Sequence, residues 1–201
     1  ARGVSLGAHP SFPDLQGFGR RRMDLSSAEL EAVLIYQIGA LQGMAAAEGG
    51  RVSHVKVHGA LNNMACADDT LADTVARAVR AAGRDLILLA PACSALARAG
   101  DRAGLRVVLE VFADRNYLDD GQLVPRRRPD AMVHGAAESL AHVRRMLEEG
   151  AIVSVSGKRL PTPIESICVH GDGPEAVASA AAIRQGLEAA GFSVVPLDRL
   201  G

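Results

Sequence analysis

The sequence predicts an α/β protein with a parallel sheet wound by right-handed crossovers, on two observations. Apolar runs of strand length alternate with longer stretches of helical periodicity almost from end to end. Aromatic residues make up only 3 % of the 201 residues and Trp is absent, so the core must be built of Leu, Val, Ile and Ala. Such a core suits alternating strands and helices better than an aromatic-rich β-sandwich. No repeat, heptad pattern or inter-domain linker interrupts the chain, which reads as one domain over residues 1–201.

Taken in order, residues 4–7 read as a short buried strand running into a Pro- and Gly-rich loop from His9 to Arg22. Ser26-x-x-Glu29 fits a capping box, with Leu25 and Leu30 spaced as a hydrophobic staple. Leu30, Val33, Leu34, Ile38, Leu41 and Ala45 then recur at helical spacing. Residues 52–57 read as the next strand, and Asp68 caps a helix with Leu71, Val75 and Val79 on one face. Residues 85–89 form a compact apolar run, hence a buried strand. A short helix is expected around 94–99, a strand over 106–112 and a long connection over 113–130, a length often reserved for function. A helix over 138–149 stops at Gly150, and a small hairpin turns at Ser156-Gly157. A strand over 164–169 precedes a helix beginning near Pro174, with Val177, Ile183 and Leu187 inside and Gly191 closing it. A last strand is expected over 192–195.

The formal net charge of −1 lacks the basic excess of a nucleic-acid binder. The one basic run, Arg126-Arg127-Arg128, is flanked by Pro125 and Pro129 and reads as a solvated loop or, in a sharper reading, an anion or partner contact. Cys66, Cys93 and Cys168 are far apart, form no C-x-x-C pair and favour a reducing, cytoplasmic setting. No apolar run approaches the ~18 residues of a membrane span. Ala1-Arg2-Gly3 reads like a helix end entering a strand, so that an N-terminal piece is expected to precede it.

Polar residues fall just beyond the predicted strands. The first strand leads to His9-Pro10-Ser11, the second to Lys56-Val57-His58-Gly59, the fourth to Glu110 and Asp114-Arg115, and the strand after Pro163 to His170-Gly171-Asp172. Ligands of parallel β/α folds bind at the carboxyl ends of the strands, so these groups are expected to line one cavity. Asp172 has several readings: it orients His170, accepts a proton, binds a metal, or caps the helix near Pro174. Lys56 is either a point charge for phosphate or carboxylate or a partner in a salt bridge. His54 shares the strand of Lys56 and His58 at a different depth, His134 is a weaker candidate, and His142 reads as a solvated helix residue. Neither a G-x-G-x-x-G following a strand nor a Walker A sequence is present.

At these clusters the sequence resembles a known family. The segments that carry the likeness are Gly7-Ala8-His9-Pro10-Ser11-Phe12-Pro13-Asp14 with Gly17-Phe18-Gly19-Arg20-Arg21; His54-Val55-Lys56-Val57-His58-Gly59-Ala60-Leu61; Glu110-Val111-Phe112-Ala113-Asp114-Arg115; Gly121-x-Leu123-Val124-Pro125-Arg126; and Ile167-Cys168-Val169-His170-Gly171-Asp172. As a set, in this order, they resemble the family of 5-oxoprolinase A subunits, also described as the LamB/YcsF or lactam-utilisation family. The resemblance implies a β/α barrel similar to the seven-stranded glycoside hydrolase/deacetylase barrels, here lacking its first strands. It implies ATP-dependent hydrolytic opening of the 5-oxo-L-proline lactam to L-glutamate, with ATP as cosubstrate and with 5-oxoprolinase subunits B and C as partners. The family's acidic N-terminal strand and its Gly-Phe-His-Ala-Gly-Asp segment would both precede Ala1. Departures from its pattern are Val57 for Pro, Asn62 for Tyr and Gly173 for Thr.

A lactam is a stable amide, and the implied route has ATP phosphorylating the amide oxygen. Such chemistry needs cations at the phosphate and an acid or base at the attacked carbon. Lys56 and Arg115 are therefore expected at phosphate or substrate carboxylate. His58, His170 and Asp172 are expected to move protons or activate water, with His9, Glu110 and Asp114 completing the pocket. If a divalent metal takes part, the candidates to hold it are His9, His58, His170 and Asp172. Two alternatives stand beside this reading: a metal-dependent deacetylase or amidohydrolase, and a non-catalytic subunit that binds substrate.

Overall fold

The computed structural model describes residues 3–171 and 176–200. They form two compact units, residues 3–108 with 196–200, and residues 109–171 with 176–195.

The first unit is a parallel sheet covered by helices. Strand β1 (Leu6–Ala8) pairs with β2 (Val52–Val55), and β2 pairs with β3 (Ile87–Pro91), both in parallel. Helix α1 (Ser27–Ala47) connects the first two. Its capping box forms as the sequence predicts: the Ser26 hydroxyl takes the backbone N–H of Glu29, and the Glu29 carboxylate takes the backbone N–H of Ser26 at 2.9 Å. Leu30, Leu34, Ile38 and Ala45 form its buried stripe, and it packs against α3 (Asp69–Ala82).

By length and composition, α1 is also the one helix among the described residues that could cross a membrane. That corrects the expectation of no such run. Glu29, Glu31, Gln37 and Gln42 interrupt its apolar sequence.

Asp68 caps α3 by accepting the Leu71 N–H at 3.0 Å, and Ser94 caps α4 (Ala95–Arg102) by accepting that of Ala97 at 3.0 Å. Helix α2 (Gly59–Ala67) has no counterpart among the expected elements. Two asparagines and an opening glycine hide it, because all three are poor helix formers. The end of the chain returns to this unit, where Leu197 and Leu200 pack on Ile87, Leu89 and Val108. Strand β4 (Arg106–Phe112) begins here and ends in the second unit.

In the second unit β4 pairs in parallel with β7 (Ser166–Cys168). Helices α5 (Ala136–Glu149) and α6 (Ala176–Ala189) pack together, and Val143, Ile183 and Leu187 share a core with Ala113. Gly150 ends α5 in the left-handed conformation, at φ 57°. Strands β5 (Ala151–Val153) and β6 (Arg159–Pro161) form the expected hairpin.

Five strands thus run parallel to a neighbour, while β5 and β6 are antiparallel; the described residues form no set of seven parallel strands. Two further expectations are corrected. Residues 192–195 form no strand, and Phe192, Val194 and Val195 remain 37 %, 41 % and 41 % exposed, so their β-branched and aromatic character found no ladder to join. Val177 is 85 % exposed rather than on the inner face of α6.

Replacing the cap of α1, Ser26→Ala, is expected to lower stability by about 1 kcal/mol, because the Glu29 N–H loses its side-chain acceptor and the reciprocal box is broken. Urea unfolding of the two proteins measures it through the shift in midpoint.

Candidate functional site

Parallel pairing delivers the polar residues to the carboxyl ends of the strands. In the first unit, the register Ala8↔Val55 sets His9 and Lys56 one residue beyond their strands, side by side. The ladder continues past both strand ends: Lys56 N–H donates to the Ala8 carbonyl and His58 N–H to that of Pro10, each at 2.9 Å.

His9 Nδ1 lies 2.6 Å from the Lys56 carbonyl, and His58 Nε2 lies 2.8 Å from the Phe18 carbonyl. A carbonyl oxygen only accepts, so both of these nitrogens carry hydrogen. The two remaining nitrogens, His9 Nε2 and His58 Nδ1, face each other at 3.1 Å. They make a hydrogen bond only when a further proton lies between them, which gives the pair a positive charge. The rings meet edge to face, with centroids 4.8 Å apart.

The loop that supplies the Phe18 carbonyl is built around Asp14, which no pattern along the chain singles out. Its carboxylate accepts the Gly17 N–H at 2.9 Å and pairs with the Arg21 guanidinium, while its carbonyl accepts the Gly19 N–H at 2.9 Å. This clamp holds Phe18 at φ 54°, a left-handed conformation that costs a non-glycine residue roughly 1–2 kcal/mol. The Phe18 ring lies against His58 at 5.0 Å, with the Arg20 guanidinium over it at 5.4 Å. Gly59, at φ 65°, is required here: a Cβ would lie 2.4 Å from the Gly19 carbonyl oxygen. The signal for this loop was its density of glycine and charge, which reads as a turn and does not reveal which carboxylate organises it. An open depression of about 540 Å³ runs along Pro13, Leu15, Arg22 and Met23, and none of the predicted site residues lines it.

In the second unit the register is Phe112↔Cys168, so Asp114 and His170 both stand two residues beyond a matched pair. They meet: His170 Nδ1 is 2.9 Å and 2.8 Å from the two Asp114 carboxylate oxygens. Burial raises the Asp114 carboxyl, but the hydrogen bond from His170 and that ring's charge when protonated, with a smaller contribution from Arg115, outweigh it and hold it below its ordinary value. The His170 ring stacks on Phe112, with centroids 5.8 Å apart at 19°.

Arg115 is buried and donates through Nη2 to the Val124 carbonyl at 2.7 Å, while its Nε has no hydrogen-bond partner. Burial lowers its basicity, and the charge of Arg126 adds to that. Glu110 is buried within β4, before the strand's end, rather than at it. Asp172 lies outside the described residues. His9, Lys56 and His58 thus belong to one unit, and Glu110, Asp114, Arg115 and His170 to the other. His54 bonds the Ser53 hydroxyl at 2.9 Å, and His134 is exposed. His142, expected in solvent, is instead partly buried and bonded to the Arg115 carbonyl at 3.1 Å. Its position on the polar-looking face of α5 concealed this, since a helical pattern cannot show that a loop folds over it.

The family model for the LamB/YcsF family matches residues 1–201. This chain belongs to the LamB/YcsF family. It is 59 % identical over 201 residues to a 5-oxoprolinase A subunit of Azoarcus sp. strain BH72, covering 100 % of this chain and 78 % of that protein. It is 51 % identical over 197 residues to a 5-oxoprolinase A subunit of Rhodopseudomonas palustris strain BisB18, covering 98 % and 77 %. The crystal structure of a lactam utilization protein from Thermus thermophilus superposes with a TM-score of 0.88 at 42 % identity, covering 97 % of this chain and 78 % of that one. The LamB/YcsF resemblance read from the clustered motifs is thereby established.

The Arg21 partner holds the Asp14 carboxyl down to about 2 against the opposing effect of burial, from an ordinary value of 3.8. A depressed carboxyl stabilises the folded state fully above its unfolded value and loses that contribution as pH falls through the folded one. Asp14→Asn is therefore expected to destabilise the protein at neutral pH, with the gap to wild type closing between about pH 4 and pH 2. Thermal unfolding of both proteins across that range checks it.

Proposed function

We propose that this chain is the A subunit of a multi-subunit 5-oxoprolinase that opens the lactam of 5-oxo-L-proline to L-glutamate with hydrolysis of ATP. The observation that supports it best is the Asp114–His170 pair, set by strand register at the ends of β4 and β7. The relatives named as 5-oxoprolinase A subunits make a cyclic amide the substrate class to test first.

An amide resists water because its carbonyl is a poor electrophile and its nitrogen a poor leaving group. A base is needed at the attacking water and a proton at the departing nitrogen. Asp114 accepts the Nδ1 proton of His170 and so fixes the tautomer that leaves Nε2 available as a base. The imidazole can take a proton from water there, and the adjacent carboxylate stabilises the resulting cation. The His9–His58 pair suits the opposite task, since a proton held between two imidazoles can be handed to a developing amine. Asp172 is assigned to the same proton chemistry as His170, and Glu110 to the polar wall of the pocket.

ATP, when bound, would supply the phosphoryl group that activates the amide oxygen. Lys56 and Arg115 are the cations assigned to phosphate or to the substrate carboxylate. The unpartnered Nε of the buried Arg115 fits an anionic group better than a neutral one. If a divalent metal assists, His9, His58, His170 and Asp172 remain the residues to hold it, as imidazole nitrogen and carboxylate oxygen suit such an ion. The working assembly is expected to be cytoplasmic, to include subunits B and C, and to have this chain as part of a closed seven-stranded β/α barrel.

The test is turnover of 5-oxoproline with ATP, in the assembly of all its subunits, by the His170→Ala and Asp114→Asn variants. The expected result is a kcat lower by about 10²–10⁴-fold for His170→Ala, with a smaller loss for Asp114→Asn. Wild-type turnover by His170→Ala would overturn the assignment.

A further inference from the structure

The Asp114–His170 pair depends on a turn that has already left the sheet. Strand β4 ends at Phe112, and residues 113–117 carry the chain away from it. Most backbone groups of this turn are tied to other backbone. The Ala113 N–H donates to the Cys168 carbonyl, the Asp114 carbonyl accepts the Val133 N–H, and the Asn116 N–H donates to the Ala131 carbonyl, each at 3.0 Å.

The Arg115 carbonyl is held by a side chain instead. His142 Nε2, from the middle of α5, lies 3.1 Å from it. The carbonyl can only accept, so Nε2 carries the hydrogen. Burial lowers the basicity of this imidazole, with the charge of Arg145 adding to it and the Arg115 carbonyl opposing, so the neutral ring with one N–H suffices.

The same ring lies parallel to Tyr117, with centroids 6.5 Å apart at 19°. Tyr117 is fully buried, and its hydroxyl accepts the Phe112 N–H at 2.7 Å. Burial pushes that phenol well above its ordinary value, so it stays protonated. Phe112 in turn stacks on His170. His142 therefore contacts both sides of the turn that carries Asp114: the carbonyl of the next residue, Arg115, by a hydrogen bond, and the Tyr117 ring, whose hydroxyl is bonded back to the last residue of β4.

We propose that His142 is a positioning residue of the Asp114–His170 pair, holding the Arg115 carbonyl so that the Asp114 carboxylate meets His170 Nδ1. Its catalytic consequence rests on the reading of Asp114–His170 as the reacting pair; its structural consequence does not. A histidine that merely filled space on α5 would need the ring but not the N–H. One that acts through the turn needs the N–H as well.

That difference sets the experiment. His142→Phe keeps a flat ring against Tyr117 and loses the donor. His142→Gln loses the ring and can place an amide N–H where Nε2 lies. The ¹⁵N and ¹H resonances of the His170 imidazole are recorded on the purified chain with each variant, and kcat and KM on the assembly with its partner subunits. His142→Phe is expected to shift the His170 resonances and to lower kcat about tenfold to a hundredfold with little change in KM. His142→Gln is expected to restore both towards wild type. His170 resonances that stay at their wild-type positions in His142→Phe would overturn the proposal. So would a loss of kcat equal in the two variants. If His142→Phe does not fold, His142→Asn, whose amide is too short to reach Arg115, takes its place with the same expectations.

The two readings fail separately. Full activity of His170→Ala would remove the reacting role from the pair and leave the resonance result standing. Unmoved resonances would remove His142 and leave the His170→Ala result standing.

Discussion

Parallel register is the constraint on which the candidate site depends. Backbone hydrogen bonds between β4 and β7 match Phe112 with Cys168, so residues equally far beyond that match arrive together. Asp114 and His170 are separated by 56 residues and meet because each is two residues past the match. The β1–β2 ladder does the same for His9 and Lys56, and extends to His58 through the Pro10 carbonyl. A slip of one residue in either ladder would turn these side chains to the other face of the sheet and separate the pairs.

The two histidine arrangements differ in what polarises them. His170 faces a carboxylate, which only accepts, so its Nδ1 is the donor. His58 faces a second imidazole, and both rings direct their outer hydrogens to backbone carbonyls. Chemically identical side chains are thus oriented differently by their neighbours alone. Both arrangements depend on loops clamped from behind, by Asp14 and Arg21 in one unit and by Tyr117 and His142 in the other. Asp14 and Tyr117 are buried and His142 is half-buried, whereas Arg21 closes its clamp from the solvent side.

Much of this was legible in the sequence. Periodicity located α1, α3 and α5, and cap residues fixed the starts of the first two, because helix ends are decided by local hydrogen bonds. The placing of His9, Lys56, Asp114 and His170 just after strands followed from the strands themselves. What escaped were features without a local signature. Helix α2 opens on a glycine and carries two asparagines, which mask its helical residues. Residues 192–195 have strand composition and no strand. His142 has the pattern of a solvated helix residue, and its partner lies 27 positions away.

By itself the sequence determined most element types, the caps of α1, α3 and α4, and the family, since each is written in residues close together or in motifs kept in order. Tertiary structure decided which oxygen each imidazole nitrogen faces, and hence where the protons sit. It also decided that Asp14 organises a loop and that His142 supports a turn. The physical reason is the same for all of these: a hydrogen bond between distant residues is directional over a few ångströms, and no pattern along the chain encodes a distance in space.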